Sequence, residues 1–394
     1  MHLAPVIHVA GTNGKGSTIA FLNALASAGG LRVHAFTKPH LHRLNERFVV
    51  TRPAGANCST IPIEDDALIN CAERIAAIDR GLTQFDAQVA AAFLLFSEFE
   101  ADLVLLEAGM GGRDDSTNVV PAPVLAVLTP IDLDHVETLG PTLADIARHK
   151  AGIIKAGAKA ISARQTPEVM SVLKQQADLV GAKLYIRGRD WDASESNGGL
   201  VVQTEFAADD FPPPILLGPH QWDNAGLAAA ALMLLDPPNL DRGRYSGMML
   251  AHHPGRLQAI TDGPLKTLTG EGELWIDGAH NVLAAQALSR ALAELHKKRP
   301  AKTALIIGMR ARKDWRAFVK TLAPSAAITI AIPLSAESAD PEALAQAARE
   351  AGAHALTAPD LYNAISAALA NGAGRILICG SFLLAAAALR GPER

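Results

Sequence analysis

The sequence predicts an α/β protein with a larger N-terminal domain on a mostly parallel sheet and a smaller Rossmann-like C-terminal domain. Three observations support this prediction. Short, continuously apolar runs alternate with amphipathic stretches of helix length, as in parallel sheets covered on both faces. A glycine-rich loop joins the first strand-like run to the first helix-like run. The alternation weakens in the middle of the chain and then restarts, which indicates a second domain.

The composition bounds the kind of protein. A chain of 394 residues is long enough for two or three domains. Hydrophobic residues make up 49% and charged residues 19%, so large cores can form, and they must be mainly aliphatic because aromatics are only 5%. The formal net charge is −4. Since no long basic run occurs either, we expect no nucleic-acid partner.

The N-terminal half contains the elements of a parallel sheet in order. Strands are predicted at 6–9, 32–36, 103–106, 124–128 and 159–162. Helices are predicted at 17–28, 86–99, 142–149, 167–180 and 221–235. The segment 190–214 is predicted to form loops and short strands.

The domain boundary is predicted in the segment 237–255, which is rich in Pro, Gly and Arg. The two domains are therefore residues 1–252 and 253–394. After the boundary, strands are predicted at 274–276, 304–307, 328–332 and 375–379, and helices at 282–296, 315–322, 341–351 and 361–370.

The cysteines and the N-terminus predict the compartment. Cys58, Cys71 and Cys379 form no CxxC pair, which fits a reducing compartment and disfavours a thiolate metal site. The N-terminus lacks the basic and apolar regions of a signal peptide. The apolar run at 383–389 is too short to cross a bilayer. We expect a cytoplasmic protein without a membrane partner.

The loop at 11–17 (GTNGKGS) follows the first strand and opens the first helix. Glycines let backbone N–H groups wrap an anion, and the helix N-terminus attracts negative charge at the same place. Lys15 can reach terminal phosphates, and Ser17 or Thr18 can hold Mg²⁺. The alternative is a glycine-rich turn without a ligand. The predicted nucleotide contacts of the loop are Gly11, Thr12, Asn13, Gly14, Lys15, Gly16, Ser17 and Thr18.

This loop and eleven further motifs resemble those of the folylpolyglutamate synthases and dihydrofolate synthases, members of the Mur ligase superfamily. They lie at 9–17, 37–41 (TKPHL), 45–47 (NER), 106–113 (LEAGMGGR), 115–118 (DSTN), 132–135 (DLDH), 150–155 (KAGIIK), 218–221 (GPHQ), 224–225 (NA), 254–257 (PGRL), 277–281 (DGAHN) and 380–381 (GS). The resemblance covers essentially the whole chain and implies the Mur ligase architecture.

The resemblance implies an ATP-dependent ligase that adds L-glutamate to dihydropteroate, to tetrahydrofolate, or to both. Phosphorylation of the acceptor carboxylate by ATP gives an acyl phosphate, which the glutamate amine then attacks. The implied cofactors are ATP and Mg²⁺ at two sites. The implied partners are small molecules only: ATP, L-glutamate and dihydropteroate or a reduced folate. A monomer is expected.

The implied metal ligands are Ser17, Glu107, His135 and Lys150. Glu107 ends an apolar strand, where open α/β sheets place ligands, and its oxygens suit Mg²⁺. A capping or salt-bridged carboxylate is the alternative there, and for His135 an ordinary structural histidine. By resemblance Lys150 is carbamylated by CO₂, which requires a neutral amine and hence burial that lowers its pKa. The alternative for Lys150 is a lysine that favours a helix C-terminus.

The remaining site residues are also carried over from the resemblance. Asn224 and Arg256 are expected to contact the nucleotide, and Asp277 and His280 to join Lys15 and Lys150 in catalysis, after closure of the two domains. The expected residues of the acceptor site are Thr83, Phe85, Asp115 and Ser116. Ser381 is a further substrate residue, expected to help Asp277 and His280 hold glutamate or the transferred phosphate. Phe85 would supply an apolar plane for a flat ring, although a plain core residue is the alternative.

Lys38 departs from the family pattern, which usually has a serine at the matching position near the first metal. Its charge could repel that metal, partly replace it or contact phosphate. Two other functions compete with the folate ligase. A cell-wall Mur ligase usually carries a further N-terminal domain, for which we expect no room before Val6. A nucleotide-binding homologue without catalysis has only Lys38 in its favour.

Overall fold

The computed structural model describes residues 3–54, 57–334 and 337–390, without the side chains of 52–60 and 242. The chain forms two compact units, which are described separately. The first consists of Met1–Ile215 and Gln221–His253, and the second of Leu216–His220 and Pro254–Arg394. Among the described residues, no helix has the length and apolar character needed to cross a membrane.

The first unit is built on an eight-stranded sheet. Its strands are β1 (Val6–Ala10), β2 (Val33–Phe36), β3 (Phe48–Ala54), β4 (Asn57–Pro62), β5 (Leu103–Glu107), β6 (Leu125–Leu128), β7 (Lys159–Ser162) and β8 (Lys183–Ile186). Their order is β4-β3-β2-β5-β1-β6-β7-β8. Among the described residues, the antiparallel pairs of this sheet are β2–β3 and β3–β4, at one edge. The mostly parallel sheet is therefore confirmed. β1 lies inside the sheet with all five residues buried, which explains why it is apolar except for His8.

The helices of the first unit cover both faces of this sheet. They are α1 (Lys15–Ala28), α2 (Asp65–Ile78), α3 (Gln84–Glu98), α4 (Val136–Leu139), α5 (Leu143–Ala151), α6 (Pro167–Val180) and α7 (Pro219–Leu235). Thr83, Thr142 and Thr166 start α3, α5 and α6 by accepting a hydrogen bond from the backbone N–H three residues later. α2 was not predicted; it buries only Cys71 and Ile75, and most of its other residues are exposed.

A separate antiparallel sheet follows α6 and β8. It consists of β9 (Trp191–Ser196), β10 (Gly199–Thr204) and β11 (Ala208–Phe211), in the order β11-β10-β9. Asn197 and Gly198 connect β9 to β10 with φ of 51° and 76°, the backbone of a two-residue hairpin turn. The segment predicted as loops and short strands is therefore a regular meander.

The second unit has a six-stranded Rossmann-like sheet in the order β12-β13-β17-β14-β15-β16, in which only β12 is antiparallel to its neighbour. Its strands are β12 (Gln258–Ala259), β13 (Glu273–Ile276), β14 (Thr303–Ile307), β15 (Ile328–Ala331), β16 (Ala355–Thr357) and β17 (Arg375–Cys379). Its helices are α8 (Pro264–Thr269), α9 (Val282–Lys298), α10 (Trp315–Leu322), α11 (Pro341–Glu350), α12 (Leu361–Ala370) and α13 (Phe382–Arg390). The fold class predicted from the sequence is confirmed.

An ion pair between a fully buried arginine and a partly buried glutamate joins two strands of the second unit. Arg375 is fully buried, donates from Nε to Glu273 Oε2 at 2.6 Å, and donates from Nη2 to the Arg299 carbonyl at 2.8 Å. Its Nη1 has no partner among the described residues. Burial opposes ionisation of Glu273, but the Arg375 hydrogen bond and the nearby charges together lower its pKa below the ordinary 4.5.

We expect Glu273→Ala to lower the free energy of unfolding by about 3–5 kcal/mol, because the Arg375 cation is then left buried without a counter-charge. The double variant with Arg375→Leu should recover part of this loss. In the wild type, the contribution of Glu273 is present above its unfolded pKa and disappears as pH falls through its lower folded pKa. Urea unfolding measures both effects. Glu350→Ala, which removes the half-exposed Lys320–Glu350 pair, is the control and should cost less than about 1 kcal/mol.

Candidate functional site

The phosphate loop between β1 and α1 is shaped by two close contacts at its glycines. Gly14 precedes α1 with a φ of +86°, and a Cβ atom there would lie 2.4 Å from Asn224 Oδ1. A Cβ atom on Gly16 would lie 2.4 Å from His253 Nε2. The backbone at Thr12 is held by a 2.9 Å hydrogen bond to the Pro130 carbonyl. The loop therefore has its predicted place before the helix N-terminus, where backbone N–H groups can receive an anion.

Two lysine ammonium groups meet on one carbonyl oxygen of this loop. Lys15 Nζ donates to the Gly11 carbonyl at 3.0 Å and to the Thr12 carbonyl at 3.1 Å. Lys150 Nζ, buried at the C-terminal end of α5, donates to the same Gly11 oxygen at 2.8 Å. Burial, followed by repulsion from Lys15, lowers the pKa of Lys150 from 10.5 to about 7. A large fraction of this amine is therefore neutral near pH 7.

Glu107 brings a carboxylate to the same end of the sheet. It is the last residue of β5, is buried, and accepts a 3.0 Å hydrogen bond from the Lys38 backbone N–H. Lys38 is half-buried, and its Nζ lies 5.6 Å from the centroid of the Phe85 ring. Burial and the charge of Lys15 lower the pKa of Lys38 to about 8, against the opposing effect of Glu107 and Asp115. Predicted residues of the phosphate, metal and acceptor sites thus act on one another electrostatically.

His135 lies on the loop after β6 and adopts a left-handed backbone with a φ of 52°. Its ring nitrogens lie 3.9 Å from Asp134 Oδ2 and 3.8 Å from Glu137 Oε1. Asp134 also acts on Lys150, whose pKa it raises against the effect of burial. The loop that carries His135 therefore extends to the Lys150 region.

The possible metal ligands of this region fit a divalent cation whose other ligands are substrate phosphates and water. Within the described ranges, no group of three or more His, Cys, Asp or Glu side chains is arranged to hold a metal ion. Mg²⁺ usually binds one or two carboxylates together with substrate phosphates and water, rather than a closed cage of protein ligands. Next to the buried Ser17, the Thr18 hydroxyl is buried without a hydrogen-bond partner among the described residues. Glu107 and these hydroxyls match such a partial ligand set.

The predicted acceptor residues of the first unit meet around α3. Thr83 donates to Asp86 Oδ2 at 2.6 Å, and Ser116 donates to Asp86 Oδ1 at 2.5 Å. The Phe85 ring is half-buried and so close to the backbone that a Cβ atom on Gly109 would lie 2.3 Å from its Cζ. Asp115 Oδ2 lies 2.9 Å from that same Cβ position. The ring centroids of Phe85 and Phe36 lie 6.1 Å apart in the core. Phe85 therefore contacts the core and also leaves part of its ring exposed.

The sequence analysis missed a buried chain of hydrogen bonds that holds Asp115. His8, in the middle of β1, lies 2.8 Å from the Thr117 hydroxyl, which donates to Asp115 Oδ1 at 2.6 Å. The hydroxyl proton goes to Asp115, so His8 Nε2 must be the donor to Thr117. Burial lowers the pKa of His8 to about 4, so the ring is neutral. The available signal was a histidine inside an otherwise apolar strand.

We expect Thr117→Val to weaken acceptor binding by about tenfold, because the Asp115 carboxylate loses the hydroxyl that orients it. The free energy of unfolding should fall by about 1–3 kcal/mol, since the His8 N–H is left buried without an acceptor. Titration of an acceptor ligand and urea unfolding measure the two effects. The exposed Thr138→Val serves as the control. Unchanged acceptor affinity in folded Thr117→Val would contradict the positioning role.

In the second unit, Asp277 and Arg256 lie together. Asp277 follows β13 and accepts hydrogen bonds from the backbone N–H groups of Leu257 and Ala279, both at 2.7 Å. Burial raises the pKa of Asp277, while Arg256 and these N–H groups oppose the rise. The Arg256 guanidinium lies 4.5 Å from the centroid of the Phe382 ring. Asp277 therefore fixes the backbone at both Leu257 and Ala279.

His280 and Ser381 lie around the same aromatic ring. His280 Nδ1 lies 2.8 Å from the Gly278 carbonyl, and its ring centroid lies 5.7 Å from that of Phe382. The Ser381 hydroxyl accepts from the Leu384 N–H at 3.0 Å and so caps α13. Phe382, which the sequence analysis did not select, links these residues to Arg256. Asn224 belongs to the first unit, where its Nδ2 donates to Gln221 Oε1 at 3.0 Å.

Comparisons with known proteins agree with this arrangement. The family described as "Mur ligase, glutamate ligase domain" matches residues 255–382. The dihydrofolate synthase/folylpolyglutamate synthase of Bacillus subtilis (strain 168) is 35% identical over 325 residues, which cover 78% of this chain and 71% of that protein.

Solved structures match over almost the whole chain. E. coli FolC in complex with DHPP and ADP has a TM-score of 0.85 at 29% identity, covering 98% of this chain and 88% of that one. A bifunctional folylpolyglutamate synthase/dihydrofolate synthase with Mn, AMPPNP and L-glutamate bound has a TM-score of 0.83 at 30% identity, covering 98% and 90%. The agreement extends over both units.

Proposed function

The chain belongs to the dihydrofolate synthase/folylpolyglutamate synthase family, and from this we propose that it joins L-glutamate to dihydropteroate, to tetrahydrofolate, or to both, at the expense of ATP. Its relatives are ATP-dependent ligases of this type. The observation that supports the proposed site most strongly is that Lys15 Nζ and Lys150 Nζ both donate hydrogen bonds to the Gly11 carbonyl. The phosphate loop and the Lys15 cation suit a reaction that handles several anions, and the second lysine, with a pKa of about 7, is present partly as a neutral amine.

ATP and a divalent cation are the proposed cofactors. The loop at 11–17 and Asn224 would hold the nucleotide, and Ser17, Glu107 and His135 would contribute metal ligands, with Mg²⁺ at two sites. A bound divalent cation would neutralise phosphate charge and fix the geometry of phosphoryl transfer. The structural support is the buried Glu107 carboxylate and the Thr18 hydroxyl without a described partner.

In the proposed reaction, Lys15 leaves the Gly11 and Thr12 carbonyls and contacts the terminal phosphates of ATP. An oxygen of the acceptor carboxylate forms a bond to the γ-phosphorus. The bond between that phosphorus and the bridging oxygen breaks, and its electron pair leaves with ADP. The glutamate amine then attacks the acyl carbon, loses a proton, and phosphate leaves. Alignment and electrostatic stabilisation by fixed cations supply most of the rate in reactions of this kind.

Lys150 is proposed to react with CO₂ as the neutral amine. Its nitrogen lone pair forms the N–C bond, the π electron pair of one C=O bond of CO₂ moves onto oxygen, and the nitrogen loses a proton. The product is an anionic carbamate that could serve as a metal ligand. The support for this step is its burial and its pKa of about 7, because an ordinary lysine is almost wholly protonated at neutral pH.

The second unit is proposed to serve the incoming amino acid and the transferred phosphate. Arg256 can fork onto phosphate oxygens, and Asp277, His280 and Ser381 would hold glutamate or phosphate. The assignment of ATP binding to 1–252 and of a glutamate-ligase role to 253–394 rests on the match of residues 255–382 to the glutamate ligase domain. A cytoplasmic monomer is likewise proposed from the sequence.

Product mass tests the proposed function. The protein is supplied with ATP, Mg²⁺, bicarbonate and L-glutamate, together with either dihydropteroate or tetrahydrofolate. A gain of one glutamate on dihydropteroate establishes dihydrofolate synthase activity, and a gain on tetrahydrofolate establishes chain extension. Folded protein that binds ATP and yields neither product would overturn the assignment.

A further inference from the structure

Among the residues that the structure describes, none supplies a hydrogen-bond acceptor to the Lys38 ammonium at the candidate site. Its backbone is fixed by the hydrogen bond from the Lys38 N–H to Glu107, and its Nζ lies over the Phe85 ring. Within the described ranges, that ammonium forms neither a hydrogen bond nor an ion pair. Lys15 and Lys150, by contrast, both donate to the Gly11 carbonyl.

The surroundings of Lys38 favour an anion there. The residue is half-buried, and removing an ammonium from water without giving it an acceptor costs free energy. Glu107 and Asp115 attract the charge, whereas Lys15 and Arg47 repel it. An anionic ligand beside Lys38 would relieve both the desolvation and the repulsion between cations.

The Lys38 ammonium could contact a nucleotide phosphate, replace a metal ion at Glu107, or contact the acceptor. The position of Nζ distinguishes these three possibilities. A nucleotide phosphate already has Lys15 and the N-terminus of α1, whereas Lys38 lies on the loop after β2. Replacement of a metal at Glu107 would require the ammonium to pair with that carboxylate, but the observed contact uses the Lys38 peptide N–H. The ammonium instead lies 5.6 Å from the Phe85 ring, on the acceptor side of the site.

We propose that the Lys38 ammonium binds the carboxylate of the acceptor substrate and positions it for attack on the γ-phosphorus of ATP. This inference rests on the proposed function and names a specificity-determining residue within it. Lys38 keeps its proton throughout and forms no covalent bond. The aminobenzoate ring of the acceptor would lie against Phe85. The carboxylate on that ring would lie between Lys38 and Lys15. An acceptor whose carboxylate is converted to an amide would lose this contact.

Equilibrium binding without turnover tests the inference. Dihydropteroate and its carboxamide are titrated, with ADP present and glutamate absent, into the wild type, Lys38→Met, Lys38→Arg and the control Lys174→Met on the exposed side of α6. Lys38→Met should weaken dihydropteroate binding by about 10- to 100-fold and leave carboxamide binding unchanged, because a hydrogen bond to a charged group is lost. Lys38→Arg should restore most of the affinity. Lys174→Met should behave as the wild type.

Three results would overturn the inference. Equal weakening of both ligands by Lys38→Met would indicate a role in shaping the pocket, and weakening of ADP instead would indicate a phosphate contact. Unchanged binding of dihydropteroate would exclude any contact with its carboxylate. Suppose that the wild type binds ADP but neither dihydropteroate nor its carboxamide, and forms no product in the mass assay. The proposed function then fails, and this inference fails with it. That pattern differs from the first three, in which the wild type binds its acceptor.

Discussion

Lys150→Met is expected to lower kcat by at least about 100-fold, the loss that follows when a group stabilising charge in the transition state is removed. Methionine keeps much of the length of the side chain but cannot react with CO₂ or donate to the Gly11 carbonyl, which Lys150 contacts at 2.8 Å. Steady-state turnover with ATP and glutamate measures the effect. Wild-type activity should also fall in CO₂-free buffer and recover on addition of bicarbonate, whereas the variant should not respond.

The same substitution should raise the free energy of unfolding. Between about pH 7 and the ordinary lysine pKa of 10.5, the unfolded chain holds a proton that folded Lys150 releases, so wild-type stability rises with pH over this interval. The gain from Lys150→Met should therefore be greatest below pH 7 and fade towards pH 10.5. Urea unfolding at several pH values measures it.

Lys155→Met is the matched control for Lys150. Lys155 is also partly buried, and its Nζ donates to the carbonyls of Asn118 at 2.6 Å and Val120 at 2.5 Å. Its loss should lower stability and leave kcat per folded molecule within about threefold of the wild type, because its hydrogen bonds go to backbone carbonyls outside the phosphate loop. Turnover of Lys150→Met within tenfold of the wild type would rule out an essential carbamate.

Gly14→Ala is expected to weaken ATP binding by at least about 100-fold. The φ of +86° at Gly14 disfavours any residue with a Cβ, and the new methyl group would lie 2.4 Å from Asn224 Oδ1. Asn224 cannot move away easily, because it is buried and bonded to Gln221. The loop must therefore shift, and its backbone N–H groups no longer point towards the phosphates. Calorimetric titration with a non-hydrolysable ATP analogue measures the loss.

Gly30→Ala is the control for Gly14→Ala, because it introduces backbone strain without a steric clash like that with Asn224. Gly30 follows the other end of α1 with a φ of +90°, and no atom would lie within 4 Å of an added Cβ. Its cost should be limited to strain of about 1–2 kcal/mol in stability, with unchanged ATP affinity. If both variants bind ATP equally well, the contact between Gly14 and Asn224 does not shape the loop.

Strong local patterns predicted most of the fold. The segments 159–162, 167–180, 315–322, 361–370 and 375–379 have the predicted bounds, because continuous apolar runs and amphipathic periods are local properties. The edge hairpin of β3 and β4, the short β16 and the helix α13 were not predicted. The run at 383–389, which is too short for a membrane segment, lies within α13. Edge strands and short elements depend on pairing that their own residues do not specify.

The candidate site was predicted less completely. The order of strand, glycine loop, lysine and helix was readable from the residues, and the structure has that order. The predicted roles of Ser17, Glu107, His135, Lys150 and the residues of the acceptor site stay predictions. Thr83 and Ser381, expected at the substrate, are also the residues that cap α3 and α13. His8, Thr117 and Phe382 were missed because nothing in a single strand or turn indicates what a side chain meets across the sheet.

The sequence by itself determined the fold class, the place of the phosphate loop and the family, since each depends on residues that are neighbours in the chain. The tertiary structure decided which charges meet. Lys15 and Lys150 are 135 residues apart in sequence (150 − 15) and donate to one carbonyl, which together with burial brings the pKa of Lys150 to about 7. Lys38 appeared in the sequence only as an exception to a pattern. The fold shows that no described residue supplies an acceptor to its ammonium. The sequence could not show this, because desolvation and repulsion depend on distances in space and not on order along the chain.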